Sequence, residues 1–340
     1  MDRPSPAYPS GDVERQRAGR APGFWSACAL GTGTMVGAGI FTLSGELAGA
    51  AGPAVVVTYA LAGLVALGQA VAFAELAAAR PGSGGPYVYV RDFVGARAAA
   101  LVGWQLWSAT ALSASFYAVG FARYLRQLGP SLPEGLAAAG CLGVLAALTA
   151  RTHKAAATWL QNLAVLLLLA VLGGLVALGW RARDPALWVP FAPHGWWPAV
   201  QGVPIAFVSF LGFDTVAQAG GVFRSPQRTV PRATLASVAA VTALYCGVVA
   251  VGTGVVHYRD LGSSAAPLAD VADRLAGRIG RLAVVLAGLV ATLSSANGAL
   301  VAAGELAGAM ARDRRAARPP AAAISPEALT ALLAMAGVAG

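Results

Sequence analysis

Apolar runs of about 20 residues recur along this chain, and each is long enough to cross a hydrocarbon core of roughly 30 Å. Hydrophobic residues make up 57% of the sequence and charged residues only 11%, whereas about 25% of residues are charged in ordinary soluble domains. A segment in lipid must satisfy its own backbone hydrogen bonds, and a helix of this length does so internally. The sequence therefore predicts an all-α, multi-span integral membrane protein.

The positions of the apolar runs predict nine spans. They are 24–48, 54–78, 98–120, 134–150, 156–180, 197–222, 234–256, 282–308 and a last one that starts near residue 325. Residues 1–23 form a polar, basic tail, 24–180 a first set of five spans, and 197–340 a second, partial set. Because only 16 residues remain from Ser325 onward, we expect a truncated sequence whose ninth span is incomplete.

The distribution of positive charge predicts the orientation. About two thirds of the 24 lysines and arginines fall in the tail and in the connections on the same side of the membrane, and positive residues concentrate on the cytoplasmic side. We therefore expect a cytoplasmic N-terminus in a bacterial-type plasma membrane. The net charge of +9 is spread over short connections instead of one patch, so topology explains it and we expect no nucleic-acid partner.

The first span carries four glycines in mid-membrane. Gly31, Gly33, Gly37 and Gly39 lie within nine residues, and each costs roughly 1 kcal/mol relative to alanine in a helix interior. Close packing against a small-residue face of another helix explains the spacing of Gly33 and Gly37. A break in the helix that exposes the backbone to a ligand is the alternative.

The sixth span favours that alternative, because it is interrupted as well. Pro204 lies near its start, Gly212 in its middle and the acid Asp214 beside that glycine. Ionisable residues at membrane depth are rare and usually functional. A pair of interrupted spans in corresponding positions of two halves points to the binding site of an inverted-repeat transporter.

Four ordered segments carry a family resemblance. They are "MVGAGIF" at 35–41, "AELAAARPGSGGPYVYVRDFVG" at 74–95, "FVSFLGFDTVAQAGGVFRSPQRTVPRAT" at 207–234 and "AMARDR" at 309–314. Together they resemble the amino acid/polyamine/organocation (APC) family of amino acid permeases. The resemblance implies a fold in which spans one to five and six to ten form an inverted repeat with broken first and sixth helices. It also implies secondary or exchange transport of an amino acid or related amine.

The two breaks form the predicted substrate site. Freed N–H groups at the start of the second half-helix lie at its positive end and suit a carboxylate, and freed carbonyl oxygens suit an ammonium group. Phe210 is a candidate aromatic lid over the site, with simple packing as its alternative role. The predicted substrate-binding residues are Val36, Gly37, Ala38, Gly39, Ile40, Val208, Ser209, Phe210, Leu211 and Gly212.

Five polar residues have predicted roles beside the substrate. Asp214 is expected to cap the second half of the broken sixth span, or to take part in proton coupling. Glu75 is a candidate gate or loop anchor, and Glu46 is a candidate external gate or an interfacial charge. Ser294 and Ser295 are a candidate sodium site, since hydroxyl oxygens suit a hard cation, although serines also join helices in membranes.

The coupling ion is left open among proton, sodium and none, as in exchange. Some proton-linked relatives use a lysine within the fifth span, but the only lysine here, Lys154, lies at that span's cytoplasmic edge. The expected partners are a small-molecule substrate and the lipid bilayer.

We expect no cofactor, no metal and no enzymatic activity, because His153, His194 and His257 form no metal-spaced cluster with acids. A fragment without transport activity and a membrane-embedded enzyme are the alternative functions.

Overall fold

The computed structural model describes residues 23–79, 85–129, 132–149, 154–218 and 223–312. The ninth predicted span and the tail before residue 23 lie outside these ranges. In the described ranges the chain is helical, which confirms the all-α prediction. The α-helices are α1 (Phe24–Met35), α2 (Ala38–Ala51), α3 (Val55–Ala79), α4 (Gly85–Phe93), α5 (Ala96–Arg126), α6 (Glu134–Thr149), α7 (Lys154–Ala182), α8 (Trp197–Gln201), α9 (Val203–Phe207), α10 (Thr215–Gln218), α11 (Pro226–Val255), α12 (Tyr258–Ser263) and α13 (Pro267–Arg312).

The described helices are long and apolar enough for a membrane protein. Four helical stretches could each cross a bilayer by length and composition: Ala38–Leu76, Leu163–Ala182, Gln227–Val255 and Pro267–Gly308. Shorter apolar helices cover Glu134–Ala147 and Trp197–Phe210. The chain is therefore an integral membrane protein.

Both predicted helix breaks are present. The first span ends as a helix at Met35 and resumes at Ala38, and the two residues between them leave the helical region of backbone space. The sixth span runs through α8, α9 and a 3₁₀ turn at Val208–Phe210, and a helix starts again only at Thr215. The glycine and proline signals in the sequence therefore located the interruptions correctly.

Packing around the breaks comes from three long helices. Helix α11 runs along α3 and α1, and α13 runs along α5 and also contacts α2. Three fully buried tyrosines, Tyr59, Tyr124 and Tyr245, belong to the core that surrounds α2. The broken first span is thus enclosed by side chains from α3, α5, α11 and α13.

Two spans begin earlier than predicted. Helix α11 begins at Pro226 instead of 234, since proline is well suited to a first helical turn, where no intrahelical partner is available for an N–H. Helix α13 begins at Pro267 instead of 282, and non-helical angles at Ala276 and Gly277 divide it into a short first arm and a long helix. The polar content of 257–281 hid this arm and the preceding α12 from an argument based on apolar runs.

Candidate functional site

The two helix breaks lie against each other. Thr34 Oγ1 is 2.9 Å from the carbonyl oxygen of Gly212, and Gly212 adopts a φ of +111° that favours glycine. A Cβ atom built on Gly212 would lie 2.7 Å from the Thr34 carbonyl oxygen, and one built on Gly39 would lie 2.6 Å from the Ser209 Cα. The absence of side chains at both glycines therefore permits the close contact between the breaks.

Tyr245 connects the two breaks from α11. Its hydroxyl lies 2.8 Å from the Met35 carbonyl oxygen and 3.1 Å from the Ser209 carbonyl oxygen. A phenol has one proton, so it donates to one of these oxygens at a time. The side chain is fully buried, and its ring makes edge contacts with Phe210 at 5.3 Å and Tyr59 at 5.9 Å between centroids. Tyr245 was not predicted as a site residue, although a phenol at the centre of an apolar span can indicate a polar contact.

Ser295 contacts the first break from α13. Its hydroxyl accepts a hydrogen bond from the Ala38 N–H at 3.1 Å, and a Cβ on Gly37 would overlap the same hydroxyl. The structure therefore brings Ser295 to the break, next to the start of α2, and Ser294 precedes it in α13 as a half-buried residue. The Ser295 hydroxyl thus accepts the hydrogen bond of the Ala38 N–H, one of the groups that were predicted to face a substrate.

The other predicted site residues differ in burial. All five residues from Val36 to Ile40 are buried, and so are Ser209 and Phe210, whose ring packs on Tyr245. Val208 is half-buried and its carbonyl accepts from the Leu211 N–H at 3.3 Å, while Leu211 is 40% exposed. In this conformation Phe210 is a packed core residue.

Two buried hydroxyls lie close together beside the second break. The Tyr59 and Ser209 hydroxyls are close enough to interact with each other, and neither makes a hydrogen bond to any other group among the described residues. Buried polar atoms are usually satisfied, so a group of this kind marks a place for a polar ligand or a water molecule. The pair lies next to Gly39, where the breaks meet.

The three predicted acidic residues have different surroundings. Glu46 and Glu75 are exposed, on α2 and α3. Asp214 is half-buried and directly precedes α10, at the capping position. Burial, together with the nearby Asp214 carboxylate, raises the pKa of Tyr89 on the connecting helix α4. The Asp214 carboxylate therefore lies near the connection between the second and third spans.

Nothing in the described residues has the composition of a metal centre. No group of three or more His, Cys, Asp or Glu side chains there is arranged to hold a metal ion, and Cys28, Cys141 and Cys246 are free thiols. The chemistry that the breaks offer is that of the backbone. The first N–H groups of α2 have no acceptor within their own helix, and carbonyl oxygens freed at Met35 and Ser209 lie within reach of the same region.

A multi-span helical membrane protein with two broken spans in contact is of the permease type, and sequence comparison agrees. The sequence profile described as "Amino acid permease" matches residues 23–317. The chain belongs to this amino acid permease family, which confirms the resemblance seen in the motifs.

Individual relatives are transporters by name. The chain is 31% identical to the branched-chain amino acid permease BcaP of Bacillus subtilis over 258 residues, and this alignment covers 70% of the chain and 56% of the relative. It is 30% identical to the methylthioribose transporter of Bacillus subtilis over 251 residues, with 68% of the chain and 54% of the relative covered. It is 34% identical to an uncharacterized transporter of Mycobacterium tuberculosis over 301 residues, with 87% of the chain and 66% of the relative covered. The chain thus spans between 54% and 66% of the length of these relatives.

Proposed function

We propose that the contact between the two helix breaks binds an amino acid or a related amine, as the substrate site of a transporter that works by alternating access. The observation that carries the proposal is the direct approach of Gly39 to Ser209 and of Thr34 to Gly212. It places the positive end of α2 beside carbonyl oxygens freed from helices. A zwitterion carries both complementary charges, so one small site can bind its carboxylate and its ammonium.

The polar groups around the breaks favour a substrate with a neutral side chain. Among the described residues, the side chains that contact the opposing halves of the two breaks include Thr34, Ser209, Tyr245 and Ser295, and all four are uncharged. The one acid of the second break, Asp214, lies at its far end, near Tyr89 of α4. An additional charge on the substrate would lose its hydration without gaining an ionic partner from these groups, which is costly in a buried site. We therefore propose that neutral amino acids bind better than cationic ones.

The relatives' names suggest the compounds to compare. One relative is named for branched-chain amino acids and another for methylthioribose, and a plant relative is named a cationic amino acid transporter. These names define three groups of compounds for a binding screen: L-leucine or L-valine, methylthioribose, and L-arginine or L-lysine. We propose that the substrate belongs to the first group, the neutral amino acids.

The packing of the helices supports an inverted repeat. If spans six to eight repeat spans one to three, corresponding elements pack on each other here: the two breaks meet, α3 packs on α11, and α5 packs on α13. Alternating access in such folds is largely a rocking of one helix bundle about a fixed site near the middle of the membrane.

The test is a pair of glycine substitutions in the purified full chain. Gly39→Val places a branched side chain where a Cβ would already lie 2.6 Å from the Ser209 backbone, so it separates the breaks. Gly68→Val is the matched control, because nothing lies within 4 Å of its Cβ position on α3. The readout is the shift of the melting temperature by each compound of the screen.

We expect the parent chain and Gly68→Val to be stabilised by a neutral amino acid, and Gly39→Val to melt cooperatively without any ligand-induced shift. Gly39→Ala is the milder second variant and should weaken binding at least tenfold. Equal ligand shifts in the parent and Gly39→Val would refute the site. Stabilisation by L-arginine but not by L-leucine would refute the proposed substrate class while leaving the site in place.

A further inference from the structure

A second polar cluster lies at the end of the bundle where α2 ends, which we call the distal side. It consists of Asp270 in the first arm of α13, Arg281 in the long helix of α13, and Gln127, which directly follows α5. Arg281 Nη1 donates to Asp270 Oδ1 at 2.8 Å, and Arg281 Nη2 donates to Gln127 Oε1 at 2.6 Å. The second Asp270 oxygen accepts from the Ser264 hydroxyl.

The Asp270–Arg281 pair depends on the bend in α13. The two residues are 11 positions apart, so in a straight helix they would be about 16 Å apart at 1.5 Å per residue. They meet because the helix is interrupted at Ala276 and at Gly277, where φ is +60°. The ion pair therefore exists only while the arm is folded back at this hinge.

The folded arm and α12 form a hairpin, Tyr258–Leu275, that presses on α2. A Cβ on Gly45 would lie 2.6 Å from the Leu261 carbonyl oxygen, and one on Gly49 would lie 2.7 Å from the Gly262 Cα. The second half of the broken first span is thus held in backbone contact with the hairpin. This contact covers the face of α2 that carries Gly45 and Gly49.

A small cavity lies under the hairpin. Its lining includes Ser44 and Gly45 of α2, Gly252 of α11, and Leu261 and Pro267 of the hairpin. The Ser44 hydroxyl is buried and has no hydrogen-bond partner among the described residues. Movement of the hairpin away from α2 would open this cavity to water and would satisfy that hydroxyl.

We propose that Arg281 is the latch of a distal gate, which holds the hairpin Tyr258–Leu275 folded at the Gly277 hinge and closed over α2. A bend of a few residues that absorbs backbone change is the usual form of a hinge. Arg281 is suited to the latch because its fixed guanidinium binds the arm through Asp270 and the end of α5 through Gln127 at once. If the N-terminus is cytoplasmic, this gate faces the outside. The inference assumes the alternating access proposed above, but its test measures gate opening without transport.

The test uses a single cysteine beneath the hairpin. Cys28, Cys141 and Cys246 are replaced by alanine in the full chain, and Ser44→Cys provides a thiol that the closed hairpin covers. The labelling rate by a small, water-soluble methanethiosulfonate is then compared with and without Arg281→Gln. The pair is about one third exposed on each side, and such ion pairs shift equilibria modestly, so we expect labelling to accelerate about threefold to fivefold.

Three further variants make the result specific. Arg278→Gln removes the same charge from an exposed residue nearby in α13 and should leave the labelling rate unchanged. Asp270→Asn should accelerate labelling as Arg281→Gln does. Exchange of the two charges, Asp270→Arg with Arg281→Asp, should return the rate toward that of the parent.

A fourth measurement separates gate opening from loosening of the whole fold. Ala62→Cys lies in the fully buried core on α3, far from the hairpin in sequence, and should stay unlabelled in the Arg281→Gln variant. The proposal is overturned if Arg281→Gln leaves Ser44→Cys labelling unchanged, if Arg278→Gln accelerates it equally, or if Ala62→Cys becomes reactive too. Failure of amino acid binding would leave these outcomes unaffected.

Discussion

Removal of one oxygen atom, in Tyr245→Phe, tests how the two helix breaks are held together. The variant retains the ring that packs on Phe210 and Tyr59. It removes the hydroxyl proton that reaches the Met35 carbonyl oxygen at 2.8 Å or the Ser209 carbonyl oxygen at 3.1 Å. Both oxygens then face an apolar ring edge in a fully buried place.

The size of the effect follows from the burial. A net protein hydrogen bond contributes about 0.5–1.5 kcal/mol, and a buried acceptor that loses its donor raises the cost to about 1–3 kcal/mol. If about 1–2 kcal/mol of this cost destabilises the ligand-binding arrangement of the two breaks, the affinity for the ligand drops about fivefold to thirtyfold, since 1.4 kcal/mol is a factor of ten. The free energy of unfolding should fall by a similar amount.

Tyr124→Phe is the matched control. Its hydroxyl donates to the Phe41 carbonyl oxygen at 2.9 Å, and the side chain is equally buried, but this hydrogen bond goes to the second half of the first span and does not join the two breaks. Each variant therefore loses one buried hydrogen bond, while only Tyr245→Phe loses a connection between both breaks. Equilibrium binding of L-leucine, or of the best binder in the screen above, and thermal unfolding are measured on both.

We expect both variants to lose stability by a similar amount and only Tyr245→Phe to lose affinity by fivefold or more. Equal losses of affinity in the two variants would mean that ligand binding depends on any buried hydrogen bond near α2, and not on the connection between the two breaks. Unchanged binding in Tyr245→Phe would refute the view that the two breaks must be joined to bind substrate.

Five other substitutions give four independent tests. Gly212→Ala should destabilise the protein by about 1–3 kcal/mol, because its φ of +111° and the nearby Thr34 carbonyl oppose a side chain; an unchanged melting temperature would contradict this. Ser295→Ala should cost about 1 kcal/mol by leaving the Ala38 N–H without its acceptor; a cost seen in sodium chloride but not in choline chloride would assign the serine to a cation instead. Lys154→Arg should preserve any pH-gradient-driven uptake into proteoliposomes, because the sequence places the only lysine at the edge of the fifth span and arginine retains its positive charge; loss of uptake would place Lys154 within the site. Arg183→Cys and Arg228→Cys, in a background without native cysteines, should react with impermeant maleimide from opposite sides; reaction from one side would overturn the predicted topology.

The sequence was informative where the signal was local. A run of apolar residues reports a span because the backbone in lipid must be helical, and the positions of glycine and proline report where that helix is weak. Gly39 and Gly212 were identified in this way, and the structure brings both breaks together at these glycines.

The partners of the breaks could not be predicted from the sequence, because they are distant along the chain. Tyr245 is 210 residues from Met35, and Ser295 is 257 residues from Ala38. Hydroxyl-bearing residues are frequent in membrane helices and often join neighbours. Ser295 was therefore predicted only as a possible cation ligand, and neither its bond to the Ala38 N–H nor the contacts of Tyr245 could be assigned from residue type. The choice among them depends on the rotation of α11 and α13 about their own axes, which is determined by tertiary packing.

These distant partners also explain why a helix break is tolerated within lipid. Breaking a helix releases N–H and C=O groups that no water in the bilayer core can satisfy. Here the Ala38 N–H is bonded by Ser295, the Met35 carbonyl lies against Tyr245, and the Gly212 carbonyl lies against Thr34. Each break is therefore stabilised by another part of the bundle, so a movement of α11 or α13 changes how many backbone groups are free to meet a ligand. If the breaks bind the substrate as proposed, their cost and the coupling of binding to helix movement have the same origin.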